Sequence, residues 1–197
     1  MRCSAPSAVF SELPIPLPIE TERLVVRVFR PDEDVEPMLD VYGDPDVMRF
    51  IPGGALGRDA VRSTLEAHVR DHVTRGLAFW AVVERKTDRV IGDAGFGIFE
   101  PTGDVELGYT FARSAWGSGY ATEAARACLA AGFAHLSVQR IVAVVDIRNE
   151  ASLRVAERIG MARIETMHAH GRPHVLLARQ LDSQHREDRD QHDRSDP

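Results

Sequence analysis

"RSAWGSGYATEAARACLAAGFAHL", residues 113–136, sets Gly117 and Gly119 between Trp116 and Tyr120, directly ahead of a long apolar run without lysine. It reads as a tight turn into a helix, with Ala121, Ala125, Cys128, Leu129, Gly132, Phe133 and Leu136 on one side. The fold depends on what the turn can hold. A nucleoside-triphosphate loop needs a lysine after its last glycine, and no Gly-Lys pair occurs in the chain. A dinucleotide turn fits poorly. Thr122 stands where Gly or Ala permits close packing, and Asp146 lies beyond the roughly 20-residue spacing of a ribose-binding carboxylate. Too few elements follow to build the second half of such a fold. Backbone alone can still hold a pyrophosphate, because glycines let amides approach a ligand and the helix start near Ala121 presents its positive dipole end. A plain strand-to-helix turn explains the two glycines as well, so the loop by itself leaves both readings open.

On either side of this stretch, "VELGYTFA" (105–112) reads as the strand before the loop and "RIVAVVD" (140–146) as a strand buried on both faces. "LAFWAVVER" (77–85) and "RVIGDAGFGIF" (89–99) are strand-forming runs joined by "KTD", with Trp80 and Phe96 in the core. "RLVVRVF" (23–29) is a first strand, and "PDEDVEPMLDVYGDP" (31–45) contains a short helix with acids in its first turn. A longer helix within residues 57–76 spaces Val61, Leu65, Val69 and Val73 four apart and stops at Gly76. After the buried strand, Asn149 caps a helix that Gly160 ends, and two strands flank "HAHGRPH" (168–174). The order β-α-α-β-β-β-α-β-α-β-β describes one mixed α/β domain over residues 20–181. Residues 1–19, with Pro14, Pro16 and Pro18, read as an extended arm. Residues 182–197 read as a disordered charged tail, too poor in apolar side chains to repay ordering.

A chain of 197 residues, 44% hydrophobic and 27% charged, has the composition of an ordinary globular domain. Its net charge of -6 argues against a nucleic-acid partner and for a cationic or amine-bearing one. Two cysteines cannot form a disulfide framework, so Cys3 and Cys128 are expected as reduced thiols. No stretch has the length of a signal-peptide core or a membrane span, which points to a cytoplasmic protein with no membrane partner. A monomer or homodimer is expected.

Three stretches in order, "TERLVVRVFRPDEDVEPMLDVYGDPDVMRFI", "VELGYTFARSAWGSGYATEAARACLAAGFAHL" and "RIVAVVDIRNEASLRVAERIGM", resemble the GNAT superfamily of acetyl-CoA-dependent N-acetyltransferases. They are most similar to its ribosomal-protein N-terminal acetyltransferase branch, over about residues 21–181. The resemblance implies a GNAT-like sheet in which strand 105–112 splays from strand 140–146, and acetyl-CoA as cosubstrate without a metal. The family's pyrophosphate loop, Gln/Arg-x-x-Gly-x-Gly/Ala, falls on residues 114–119, with Ser114 in place of Gln/Arg. Trp116, Gly117, Ser118, Gly119, Tyr120 and Ala121 are then the coenzyme-binding backbone, joined by Asn149.

Glu106 shares a strand face with Gly108 and Thr110, and a carboxylate in a central strand is costly unless paired, hydrated or used. In similar proteins a glutamate here acts as general base on the amine, often through water; a structural ion pair is the competing explanation. Many relatives have a tyrosine four residues beyond the serine of Asn149-x-x-Ser152 to protonate the thiolate, but that position is Ala156. Ser152 is the substitute candidate, with Tyr109 and Tyr120 as further hydroxyls. In the family the last hairpin borders the acceptor, which makes His170, Arg172 and His174 candidates for binding it. The favoured acceptor is a protein N-terminus. The alternatives are a polyamine, amino sugar or other small amine, or a non-catalytic acyl-CoA-binding protein.

Overall fold

The computed structural model describes residues 15–181. The expected arm and tail therefore fall largely outside the described residues, as does Cys3. Eight strands form one sheet in the order β1-β2-β3-β4-β5-β6-β8-β7. They are β1 (Ile19–Glu20), β2 (Leu24–Arg27), β3 (Phe79–Glu84), β4 (Arg89–Phe99), β5 (Asp104–Phe111), β6 (Arg140–Asp146), β7 (Ala162–Ala169) and β8 (Arg172–Gln180). Four helices complete the domain: α1 (Pro31–Tyr42), α2 (Arg58–Arg75), α3 (Tyr120–His135) and α4 (Glu150–Arg158). This is the expected order plus the short β1. Ile15, Leu17 and Ile19 alternate with prolines, so one side of this segment stays apolar; Ile15 is buried in the core and Ile19 pairs with Val26.

The sheet separates two cores. One packs α3 and α4 against Trp80, Phe96 and Leu107, with the Trp80 and Phe96 rings edge-on at 6.0 Å. The other packs α1 and α2 against Ala81 and Val83. On α3, Ala124, Ala125, Cys128, Leu129 and Gly132 are buried, whereas Ala121 and Phe133 pack at its edge. Gly132 is needed there, because a Cβ would stand 2.7 Å from the Phe96 ring and 2.9 Å from Ile141.

The valine stripe of α2 holds only in part. Val61 and Leu65 are buried but Val73 is 78% exposed. A strict four-residue repeat drifts about 40° per step around a helix of 3.6 residues per turn, which carries Val73 about 120° from Val61. The face against the sheet continues instead through His68, stacked on Phe29 at 5.9 Å, and His72, edge-on to Trp80. Gly76 stops the helix in the left-handed conformation, its N–H donating to the His72 carbonyl. At the start of α1, Asp34 is buried, accepts the Arg30 N–H and takes two hydrogen bonds from Arg27 at 2.7 and 2.8 Å. That pairing resolves the cost of an ionised carboxylate in the core and ties α1 to β2.

β5 and β6 run parallel but pair at only two positions, Val105 with Ile141 and Glu106 with Val142. Both strands continue well beyond this ladder without pairing to each other, to Phe111 and Asp146. On its other edge β6 stays fully paired with β8. The opening expected between residues 105–112 and 140–146 is therefore present.

Candidate functional site

The chain leaves β5 through a 3-10 turn, Arg113–Ala115, and enters α3 at Tyr120. Gly117 and Gly119 have φ of 75° and 81°, which side-chain-bearing residues adopt only with strain. Trp116, about half exposed, donates its Nε1–H to the Phe111 carbonyl at 2.8 Å, and the Glu123 N–H makes the first helical bond, to Gly119. Among the described residues, the amides of 117–122 have no backbone acceptor. They form a run of free donors at a helix start.

Arg23, immediately before β2, orients this run. It donates from Nη1 to the Ser118 carbonyl at 2.9 Å and lies 4.6 Å above the Tyr120 ring. In a planar trans peptide, fixing that carbonyl aims the Gly119 N–H the opposite way. Glu123 holds Arg23 in turn, accepting its backbone N–H and Nε–H and the Thr21 hydroxyl. Sequence reasoning missed this pair. Arg23 signalled only the start of the strand run "RLVVRVF", whereas Arg23 and Ser118 meet through the fold.

A cleft of about 550 Å³ opens in front of the loop, and Trp116, Gly117, Gly119, Tyr120, Ala121, Asn149 and Ser152 all line it. Ser118 does not, its carbonyl being turned to Arg23. Asn149 caps α4 by accepting the Ser152 N–H at 3.1 Å. The Tyr109 hydroxyl lies 3.0 Å from the Ser152 carbonyl and 3.1 Å from its Oγ. Tyr109 thus joins the candidate serine and lines the cleft; burial pushes its hydroxyl up to about 12, opposed by the bond to Ser152. Tyr120 turns its hydroxyl away, to Glu84. Ala156 is fully buried and offers no hydroxyl.

Tyr109 faces α4, so the alternation of β5 puts Glu106, Gly108 and Thr110 on the opposite face, toward α1 and α2. Glu106 sits half-buried where the strands part. Burial pushes it up to about 7, although the Val144 N–H donates to it and pulls the other way. The Phe79 ring lies against Gly108 and supplies apolar surroundings, while Gly97, opposite Glu106, adds no side chain. No salt bridge to Glu106 occurs among the described residues, which removes the ion-pair explanation within them. Asp93, opposite Thr110 on this face, is a second buried carboxylate that sequence reasoning passed over. It takes a hydrogen bond from Tyr42, and burial raises it to about 6.

The three hairpin candidates do not line the cleft. His174 is buried opposite Asp146, its Nδ1 3.0 Å from the Arg172 carbonyl, and His170 stands edge-on to it with φ of 51°. Arg172 reaches the cleft wall indirectly, donating to the Arg49 carbonyl at 3.5 Å. Among the described residues no group of three or more His, Cys, Asp or Glu is placed to hold a metal ion. Cys128 is buried in the core with its thiol pushed up to about 12, remote in character from a nucleophile. No helix among these residues is long and apolar enough to cross a membrane.

Comparison with known proteins agrees with this geometry. The acetyltransferase (GNAT) domain family matches residues 23–162. The uncharacterized Bacillus subtilis (strain 168) protein YkkB is 32% identical over 161 residues, covering 81% of this chain and 93% of its own. A GNAT-family acetyltransferase crystal structure from Bacillus anthracis is 28% identical with a TM-score of 0.74, covering 83% of this chain and 98% of that one. A ribosomal L7/L12 alpha-N-protein acetyltransferase solved in complex with coenzyme A shares the fold at 17% identity, with a TM-score of 0.72 over 85% of this chain and 99% of that one. With its parted strands, its free loop amides and a family match over most of its length, the chain belongs to the GNAT acetyltransferases.

Proposed function

We propose that this acetyltransferase moves an acetyl group from acetyl-CoA directly to a primary amine, with a protein N-terminus as the favoured acceptor. The observation that carries the reading is the parting of β5 from β6 immediately after Glu106, with the free amides of 117–122 at the far end of the same opening. The donors suit a pyrophosphate, and the preceding gap suits a narrow extended arm. A neighbour of the same fold was solved with coenzyme A.

Acetyl-CoA supplies an activated thioester; the chain positions it and moves protons. Glu106, raised to about 7, is poised to take the amine's proton directly or through water as the new C–N bond forms. The C–S bond breaks as the intermediate collapses, and the Ser152–Tyr109 hydroxyl pair is placed to give the leaving thiolate a hydrogen bond or a proton. No covalent enzyme intermediate is needed. The test is thiol release from acetyl-CoA across a panel of N-terminal peptides and small amines. Release with peptides supports the reading; release with small amines alone moves the acceptor, and tight coenzyme binding with no release above the hydrolysis blank removes the enzyme.

A further inference from the structure

The amine must approach Glu106 from the α1/α2 face, since Tyr109 commits the other face of β5 to α4. Thr110, on the Glu106 face of β5, lines the cleft together with Arg49 and Phe50, and there the turn Met48–Phe50 meets the last hairpin. Arg49 is exposed on the cleft wall, its guanidinium 5.0 Å from the Phe50 ring, and it forms no ion pair among the described residues. Arg148 lies over the same ring at 5.7 Å, and Arg172 hydrogen-bonds the Arg49 backbone. Two guanidinium groups thus share one aromatic ring, and a third, that of Arg172, is tied to the backbone beside it.

Among the described residues a single carboxylate answers them. Asp146 is gripped by Arg148 at 2.7 and 2.9 Å, and Arg172 reaches it only at 3.6 Å. Nearby, Arg113 and Asp46 cancel each other at 2.6 Å. The patch keeps a surplus of positive charge in a chain of net charge -6. A ring-backed arginine with no ion pair among the described residues, beside a second whose partner is already engaged, offers planar forks suited to a carboxylate or phosphate. A polyamine or a lysine-rich peptide would meet repulsion here.

We propose that the acceptor carries an anionic group close to its reactive amine, held by Arg49 and Arg172, so that the preferred peptide has Asp, Glu or a phosphorylated residue just after its N-terminus. The inference rests on the amine-acetylation reading and narrows it. The charge pattern of the whole chain suggests a cationic partner, but local arginines meet the ligand at closer range than the net field.

The experiment compares matched hexapeptides bearing Asp-Glu, Asn-Gln, Lys-Lys or phosphoserine-Glu at positions two and three. Thiol release and equilibrium binding to the protein loaded with coenzyme A are both measured. A charge-assisted pair gives the acidic over the amide peptide at least about a tenfold preference in kcat/KM or Kd, shrinking as salt rises. Phosphoserine above Asp-Glu identifies phosphate as the better anion, and the reverse identifies carboxylate. Arg49→Ala and Arg172→Ala collapse the preference toward one, Arg49→Lys restores part of it, and the Kd for coenzyme A stays unchanged. Equal treatment of acidic and amide peptides overturns the inference even if both are acetylated. So does a rise in coenzyme Kd in Arg49→Ala, which would assign the patch to the coenzyme. Acidic preference in binding without thiol release keeps the anion site and rejects the acetylation reading.

Discussion

The Arg23 and Glu123 side chains meet at 2.6 Å across the entrance to α3, joining residues a hundred positions apart in the chain. Their joint effect is to hold the Ser118 carbonyl outward and the following amide inward. Arg23→Ala is expected to weaken acetyl-CoA binding by roughly tenfold, as losing a charge-assisted hydrogen bond does. Titration calorimetry measures it, and an unchanged Kd would make the pair a surface ion pair only.

Gly119→Val tests the loop from inside. At φ of 81° a branched side chain costs on the order of 1–2 kcal/mol, and relief of the strain turns the amide out of the cleft. The variant should stay folded by circular dichroism while its coenzyme Kd rises by at least about tenfold. Normal affinity would remove the loop from the binding site.

Glu106 predicts opposite effects on rate and stability. The wild-type rate should climb through about pH 7 as the carboxylate ionises, and Glu106→Gln should lack that rise, its deficit greatest above pH 7. A folded-state pKa raised above the unfolded value means the native protein binds the proton more tightly. Stability therefore falls as pH rises from about 4.5 to about 7. Removing the charge should stabilise the fold at pH 8, by at most on the order of 3 kcal/mol, and the gain should vanish below pH 4.5. Asp93 titrates nearby, so the wild-type minus variant difference isolates Glu106. A wild-type rate profile in the variant would exclude Glu106 as the base.

Tyr109 and Ser152 should behave as one unit. Tyr109→Phe and Ser152→Ala are each expected to lower kcat by roughly tenfold, and the double variant to be little worse than the poorer single one. Fully additive losses in single-turnover assays would show that the hydroxyls act separately.

Packing at Gly132 gives a prediction apart from the chemistry. Adding a methyl group against Phe96 and Ile141, as in Gly132→Ala, should cost about 1–3 kcal/mol by overpacking, more than the better helix propensity returns. Urea denaturation measures it, and a stabilised variant would mean that the rings shift freely.

What could be read from sequence was local or periodic. Asn149 announced its own cap, Gly76 its helix stop, and 105–112 its strand, because each signal lies within a few neighbouring residues. The glycine loop became specific only with the stretches flanking it. What stayed hidden required the sheet order. Arg23 reaches the loop because α3 crosses the β1–β2 end, and Arg172 meets Arg49 because the last hairpin folds back toward the α1–α2 connection. Asp93 looked like one polar residue in a strand until Thr110 and Tyr42 came to face it. Val73 shows the converse error, a spacing trusted one turn beyond the surface it was matched to.

The two-rung ladder between β5 and β6 also has a mechanical meaning. It leaves the backbone seam between a five-stranded blade, β1 to β5, and a three-stranded blade, β6, β8 and β7, with as few rungs as the ladder of the short edge strand β1. Anything lodged along that seam acts as a rivet. Its arrival should slow amide exchange in β6 and β8 as much as in the loop that grips it, so a ligand held on one blade would be felt as stiffness in the other.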